Sequence, residues 1–121
     1  MSIELNHTIY NAHDKAAAAE FLAGILGLTV GAQTGPFLPI VLSNGVTLDF
    51  ADANEVHPQH YAFLVADTDF DAAFGRIRDA GITYWADPHH NRPGELNDYN
   101  GGRGVYFVDA DGHNLELLTK A

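Results

Sequence analysis

The chain has 121 residues, 46% of them hydrophobic, which suits one compact domain with a core and excludes a disordered composition. Its formal net charge of −10 opposes binding to nucleic acid or to an anionic membrane, because both need a basic surface. The lack of cysteine excludes disulfides and thiolate metal ligands. With no secretory signal and no apolar run of roughly 20 residues, we expect a cytoplasmic protein.

The first half of the chain predicts a strand, a helix and a hairpin. The run "LNHTIY" reads as a strand and carries His7 among apolar neighbours. A helix follows, with Asp14 as its N-cap and Gly27 just beyond its end. We expect a further strand around Leu28–Gln33. The run "IVLSNGVTLDF" (40–50) then predicts two strands joined by a two-residue type I′ turn at its Asn-Gly pair.

The second half predicts the same elements in the same order. The run "HYAFLV" reads as a strand that opens on His60, and Asp67 or Asp69 is expected to cap the following helix. A short strand is expected around Thr83–Trp85. The run "FVDADGHNLEL" (107–117) predicts a second hairpin, with a two-residue turn at its Asp-Gly pair.

The two halves are copies of one pattern. They align when His7 is set beside His60 and when the two hairpin turns are set beside each other. We therefore predict an α+β fold of two β-α-β-β-β modules, about 1–54 and 55–121, within a single domain of residues 1–121. The modules are expected to form a cupped mixed sheet with the helices on one face.

Four polar side chains occupy matching strand positions in the two halves. Because strands alternate faces, the apolar neighbours belong against the helices, and His7, His60 and Glu116 point to the other face. Two imidazoles and one carboxylate form an open ligand set that suits divalent Fe, Mn, Ni, Co or Zn. Asp49, the counterpart of Glu116, is a candidate fourth ligand that binds directly, through water or not at all.

Four other histidines are candidates by residue type, and we interpret each as a non-ligand. His57 has the wrong parity to share a strand face with His60, and His89 and His90 lie in a loop. His113 follows a turn and is expected to face solvent.

The second half is longer because of a segment rich in Gly, Pro, Asn and His, residues 86–104. We predict a long loop there that borders the metal site as a lid, or alternatively a solvated, flexible excursion. Glu95 is a candidate acid or base. The candidate substrate-binding side chains are two cations for an anionic group and two aromatic rings for a planar one: Arg92, Arg103, Tyr99 and Trp85.

This pattern resembles the vicinal oxygen chelate superfamily, above all in "HYAFLVADTDFDAAFGRIRDAGI" and "GVYFVDADGHNLELL". That group includes glyoxalase I, bleomycin-resistance proteins, extradiol dioxygenases and fosfomycin-resistance enzymes. In its enzymes the positions matching His7, His60 and Glu116 bind the metal, and Asp49 falls where glyoxalase I has a Glu ligand. The resemblance also implies a two-fold homodimer, in which His7 of one chain meets His60 and Glu116 of the other. The fosfomycin transferases carry a Thr where this chain has Ile9, and the subfamily stays unassigned.

The resemblance implies a metal-dependent lyase, isomerase, transferase or dioxygenase. Its substrate would be a small organic molecule held on the metal through two adjacent oxygens. Glu116 is a candidate catalytic base if it leaves the metal. The alternative is a non-catalytic protein that sequesters a small molecule or antibiotic, as bleomycin-resistance proteins do, and a third interpretation is a scaffold with a structural metal.

Overall fold

The elements of the fold occur twice in the same order in the computed structural model, which describes residues 1–121. The chain divides into two compact units, Met1–Val56 and His57–Ala121. The first contains β1 (His7–Ala12), α1 (Lys15–Leu26), β2 (Leu38–Val41) and β3 (Thr47–Asp52). The second contains β4 (His60–Leu64), α2 (Asp67–Asp79), a 3₁₀ turn (Tyr99–Gly101), β5 (Gly104–Val108) and β6 (Asn114–Leu118). Neither helix is long and apolar enough to cross a membrane.

Each unit contains a mixed three-stranded sheet. β3 lies in the middle of the first sheet, parallel to β1 and antiparallel to β2, and β6 lies in the middle of the second, parallel to β4 and antiparallel to β5. The pairing register is also repeated: Ile9 faces Asp49 in the first sheet, and Ala62 faces Glu116 in the second. The sequence repeat is therefore a structural repeat, in which Asp49 and Glu116 occupy equivalent places.

Alternation along β1 and β4 separates a buried face from an open one. In β1, Tyr10 is fully buried while His7 and Ile9 are exposed. In β4, Phe63 is buried while His60 is exposed. The predicted parity of the two histidines is correct, because each lies on the face opposite the buried aromatic residue.

Apolar helix faces supply much of the core in both units. Helix α1 contacts all three strands of its sheet and buries Ala19, Leu22, Ala23 and Ile25. Helix α2 buries Phe70, Ala73 and Ile77. Because the helices use one sheet face for burial, the polar strand residues are left to the other.

The helix ends match the sequence prediction in α1 and differ from it in α2. The Asp14 side chain accepts a hydrogen bond from the Ala17 N–H at 3.1 Å, and Gly27 ends the helix with a φ of 72°. Helix α2 begins after Ala66, which makes no side-chain cap, so the predicted aspartate cap is wrong. Asp67 lies instead in the first turn, where the helix dipole stabilises a carboxylate.

Both hairpins close through three residues, so the predicted two-residue turns are wrong. The Gly45 N–H donates to the Leu42 carbonyl at 2.9 Å, and the Gly112 N–H donates to the Asp109 carbonyl at 3.2 Å. Both glycines have positive φ, 86° and 83°, but the residue before each does not, which excludes a type I′ turn. A turn followed by one left-handed glycine is the alternative that the same Asn-Gly and Asp-Gly pairs permit.

The further strand predicted in each half is not formed. After α1, the Gly31 N–H donates to the Pro39 carbonyl, but Pro39 has no N–H with which to continue a ladder. After α2, Trp85 exchanges two backbone hydrogen bonds with Tyr106 and forms only isolated bridges, to Tyr106 and to Pro93. The sheets therefore have three regular strands, not four.

The long segment 86–104 contains no regular strand before β5, as predicted, but hydrogen bonds fix it both internally and to the rest of its unit. The Gly94 N–H donates to the Tyr84 carbonyl, and the Arg103 N–H donates to the Thr119 hydroxyl. The Asp87 carboxylate accepts from the N–H groups of Asn91 and Arg92 at 2.8–3.0 Å. Burial opposes ionisation of Asp87, but these hydrogen bonds outweigh it and lower its pKa. Asn97 is buried and exchanges backbone hydrogen bonds with Gly104. Both ends of the segment are therefore fixed.

Candidate metal site

His60 and Glu116 lie on adjacent parallel strands and meet on the open face of the second sheet. The Nε2 atom of His60 is 3.1 Å from Oε1 of Glu116. The His60 side chain is 48% exposed and that of Glu116 is 11% exposed. The carboxylate is therefore held inside the fold, while the imidazole remains accessible from outside.

A second contact of His60 determines which ring nitrogen carries a proton. Its Nδ1 atom is 2.9 Å from the backbone carbonyl oxygen of Asn114, which can only accept. Nδ1 therefore carries hydrogen, and in the neutral ring the lone pair lies on Nε2, facing Glu116. Two facing acceptors repel unless a proton or a cation lies between them. The pair therefore either shares a proton or is one side of a metal site.

The distance between the two atoms fits neighbouring ligands of one ion. With metal bonds of about 2.1 Å, adjacent donor atoms lie about 3.0 Å apart at a right angle and about 3.4 Å apart at the tetrahedral angle. The observed separation of 3.1 Å lies within this range. An Nδ1–H bonded to a carbonyl is also the usual outer contact of a metal-binding histidine.

Tyr106 contacts both members of the pair. It faces Glu116 across the β5–β6 ladder, which places its phenol beside the Glu116 carboxylate. Its ring lies 5.9 Å from the His60 ring, at 24° to it. Burial, and then the charge of Glu116, raise the pKa of Tyr106 far above its ordinary value, so the phenol stays protonated and donates.

The loop 86–104 borders this pair through His90. Its Nε2 atom is 3.0 Å from Oδ1 of Asn114, and its ring stacks on Trp85 with centroids 3.9 Å apart. The Asn114 amide also donates to the Pro88 carbonyl at 3.3 Å. His90 has a φ of 62°, which is unfavourable for a residue with a side chain and is maintained by these contacts. The part of the predicted lid near residue 90 is therefore a wall of the site.

The other predicted ligands lie in the first unit. His7 is exposed on β1, and its Nδ1 is 2.8 Å from the side-chain oxygen of Asn6, which leaves the lone pair of the neutral ring on Nε2. Asp49 is half-buried on β3. The chain contains no group of three His, Asp or Glu side chains arranged to hold a metal ion.

Arg103 has structural partners in place of the predicted anionic substrate group. Its guanidinium contacts the carboxylates of Asp71 at 2.6 Å and Asp67 at 3.0 Å, and lies over the Phe70 ring. Hydrogen bonding to Asp71, then to Asp67, raises the pKa of Arg103. These contacts link the start of β5 to the first turn of α2.

The remaining loop candidates differ in how close they lie to the pair. Trp85 reaches it through its stack on His90. Arg92 forms an ion pair with Glu95 at 3.3 Å, and both side chains are about half exposed. Each charged group therefore already has a partner. Tyr99 is 42% exposed.

The prediction that His113 faces solvent is wrong. His113 is fully buried, and its Nδ1 accepts from the Gln59 N–H at 2.9 Å. The backbone N–H of His113 donates to the Asp109 side chain at 2.9 Å. The ring satisfies a backbone group at the start of β4, which is a structural role and not that of a metal ligand.

Residues 4–117 match the Glyoxalase/Bleomycin resistance protein/Dioxygenase superfamily, and the chain belongs to it. This superfamily is the one predicted above as vicinal oxygen chelate. The glutathione transferase FosA of Serratia marcescens is 32% identical over 120 residues, which cover 93% of this chain and 78% of FosA.

Two solved structures are more similar. Oxidase ChaP-H2 is 61% identical, with a TM-score of 0.98 over 100% of this chain and 96% of its own. Oxidase ChaP-H1 is 55% identical, with a TM-score of 0.97 over 99% and 98%. These comparisons confirm the predicted superfamily, the α+β fold of glyoxalase-like modules and an enzyme of this superfamily.

The contact between His90 and Trp85 is directly testable, because Trp85 is the single tryptophan of the chain. In the His90→Ala variant Trp85 loses the ring that covers it, so water gains access and the fluorescence emission maximum shifts to longer wavelength. The matched control is His89→Ala, an exposed neighbour whose removal should leave the spectrum unchanged. Identical spectra for wild type and His90→Ala would contradict this wall of the site.

Proposed function

We propose that this protein is a metal-dependent oxidase that acts on a small organic molecule bearing two adjacent oxygens. The observation that carries the proposal is the His60–Glu116 pair, with Nε2 and Oε1 3.1 Å apart and the other ring nitrogen bound to a carbonyl. The bound ion would act as a Lewis acid on substrate oxygens and as a binding site for dioxygen.

His60 and Glu116 would supply two ligands, and His7 would supply the third through Nε2. Two neutral imidazoles and one carboxylate leave a divalent ion with net positive charge and open positions for substrate. Asp49 stands outside this ligand set. The metal is one of Fe, Mn, Ni, Co or Zn, and an oxidase favours the redox-active ions among them.

We propose that His7 comes from a second copy of the chain in a two-fold homodimer with two shared sites. The open face of the first sheet supports this arrangement. Val41, Thr47 and His7 lie side by side across its three strands, with Ile9 beside them on the same face. Ile9 and Val41 are 47% and 59% exposed, so the face that presents His7 also presents apolar surface suited to an interface.

Around the metal, the chain would orient the substrate and limit the access of water. Trp85 and His90 offer stacked aromatic surface for a planar group, and the Asn114 side chain offers hydrogen bonds beside it. Glu116 contacts both His60 and Tyr106, so it would act as a ligand and not as a free base. Arg92 would need to leave Glu95 before it could reach an anionic group.

Thiol transfer is the second candidate, favoured by the similarity to the glutathione transferase FosA. We place oxidation first because the similarity to the two ChaP oxidases is higher in identity and covers nearly all of both chains. Ile9 also stands where the fosfomycin transferases carry a hydroxyl. Sequestration without catalysis is less favoured, since it does not require the His60–Glu116 pair.

Metal binding and the sharing of sites can be tested together by mixing two defective variants. Wild-type protein loaded with Mn²⁺ and gel-filtered should retain about one ion per chain, and His7→Ala and Glu116→Gln should each retain almost none. Co-expressing both variants forms dimers at random, and half are mixed. Each mixed dimer has one intact site, so the retained metal should recover to about one quarter of the wild-type value.

The control is His89→Ala, which should bind metal like the wild type. Full metal binding by His7→Ala or by Glu116→Gln would remove that residue from the site. Loss in each variant with no recovery in the mixture would show that each site is built within one chain.

The reaction class can be tested before a substrate is known. Under anaerobic conditions, Fe²⁺-loaded protein should bind nitric oxide, a dioxygen analogue, and give the electron paramagnetic resonance signal of a non-haem iron–nitrosyl centre. The same protein loaded with Mn²⁺ should not consume the thiol of glutathione in the presence of fosfomycin. Thiol consumption together with no nitrosyl signal would overturn the oxidase assignment in favour of transfer.

A further inference from the structure

The two modules carry a carboxylate at equivalent places, yet they differ in the residue beside it. In the second sheet, Tyr106 on β5 faces Glu116 on β6. In the first sheet, the equivalent residue of β2 is Pro39, which faces Asp49 on β3. A phenol can donate a hydrogen bond to a carboxylate, whereas a proline ring has no polar atom to offer.

We infer that Tyr106, by donating a hydrogen bond from its hydroxyl to Glu116, is the positioning residue that makes Glu116, and not its counterpart Asp49, the carboxylate ligand of the metal. This inference rests on the metal site proposed above. Tyr106 is the direct cross-strand neighbour of Glu116, and its ring lies 5.9 Å from that of His60. One side chain therefore restrains both candidate ligands of the second unit.

The hydrogen bond matters because a glutamate side chain rotates freely when nothing holds it. Oε1 of Glu116 lies 3.1 Å from His60 Nε2, where an ion between strands β4 and β6 would be bound. The Tyr106 hydroxyl fixes the carboxylate plane, so that the lone pairs remain directed to that position. Without this hydrogen bond, the Glu116 side chain would lose more conformational entropy when it binds an ion.

Tyr106 is well placed for this role because its own position is fixed. It is 5% exposed and lies in the middle of β5, paired with β6 on one side. On the other side, its backbone exchanges hydrogen bonds of 2.8 and 2.9 Å with Trp85. A rigid donor loses little freedom when its partner binds a metal, so more of the hydrogen-bond energy supports ligation.

The inference predicts a specific effect of removing one oxygen atom. In Tyr106→Phe the ring remains, and the apparent affinity for Co²⁺, measured by competition with a chromophoric chelator, should fall about 10- to 100-fold. The visible spectrum of bound Co²⁺ should also change, because Glu116 can adopt another binding mode. The matched control is Tyr61→Phe, on the opposite face of β4 beside His113, which should change neither quantity.

A second variant tests the comparison between modules without altering Tyr106. Asp49→Asn should keep the wild-type affinity and Co²⁺ spectrum, because no donor holds Asp49 as a ligand. Wild-type affinity in Tyr106→Phe, or a loss in Asp49→Asn as large as that in Glu116→Gln, would overturn the inference while leaving the metal site intact. Wild-type protein that binds no metal would instead overturn the proposed function, and this inference with it.

Discussion

The hydrogen bond from His60 to the backbone carbonyl of Asn114 determines what the rest of the site can do. It places the imidazole proton on Nδ1 and leaves Nε2 to face Glu116 at 3.1 Å. A lone pair beside a carboxylate requires a positive charge between or on them, which a proton or a metal ion supplies. The His60 contact to a carbonyl fits the second possibility, since it is the usual outer contact of a metal-binding histidine.

The repeated module explains why such a pair can arise on this fold. A parallel pair of strands in each unit places a histidine and a carboxylate two residues apart along the ladder. The two units differ in the contacts around that geometry. His7 donates to Asn6 and lies on an exposed face, whereas His60 is fixed by Asn114 and faces Glu116. In the proposed dimer, one unit would supply two ligands, His60 and Glu116, and a second copy of the chain would supply the third, His7.

The alternation of apolar and polar residues along the strands allowed the fold and the His60–Glu116 pair to be predicted from the sequence. A period of two along β1, β4 and β6 separates apolar from polar positions, so the face of His7, His60 and Glu116 could be predicted. Tyr106 could also have been found, because the hairpin places it and Glu116 at equal distance from the turn.

Other features depend on contacts that periodicity does not encode. An Asn-Gly or Asp-Gly pair is compatible with two turn geometries, and the observed one is the three-residue form. The partners of Arg103 and the burial of His113 arise from residues far apart in the chain: Asp67 and Asp71 for the first and Gln59 for the second. The stack of His90 on Trp85 likewise requires a left-handed backbone that composition alone does not predict.

Anomalous X-ray scattering from crystals grown with Mn²⁺ or Fe²⁺ tests the central claim most directly. The metal site requires a peak about 2.1 Å from His60 Nε2 and from a Glu116 carboxylate oxygen, with Nε2 of His7 from a second copy completing the set. Metal-saturated crystals with no peak at this position, and with His60 and Glu116 still in direct hydrogen-bond contact, would show that the pair is an ion pair and that no metal binds there.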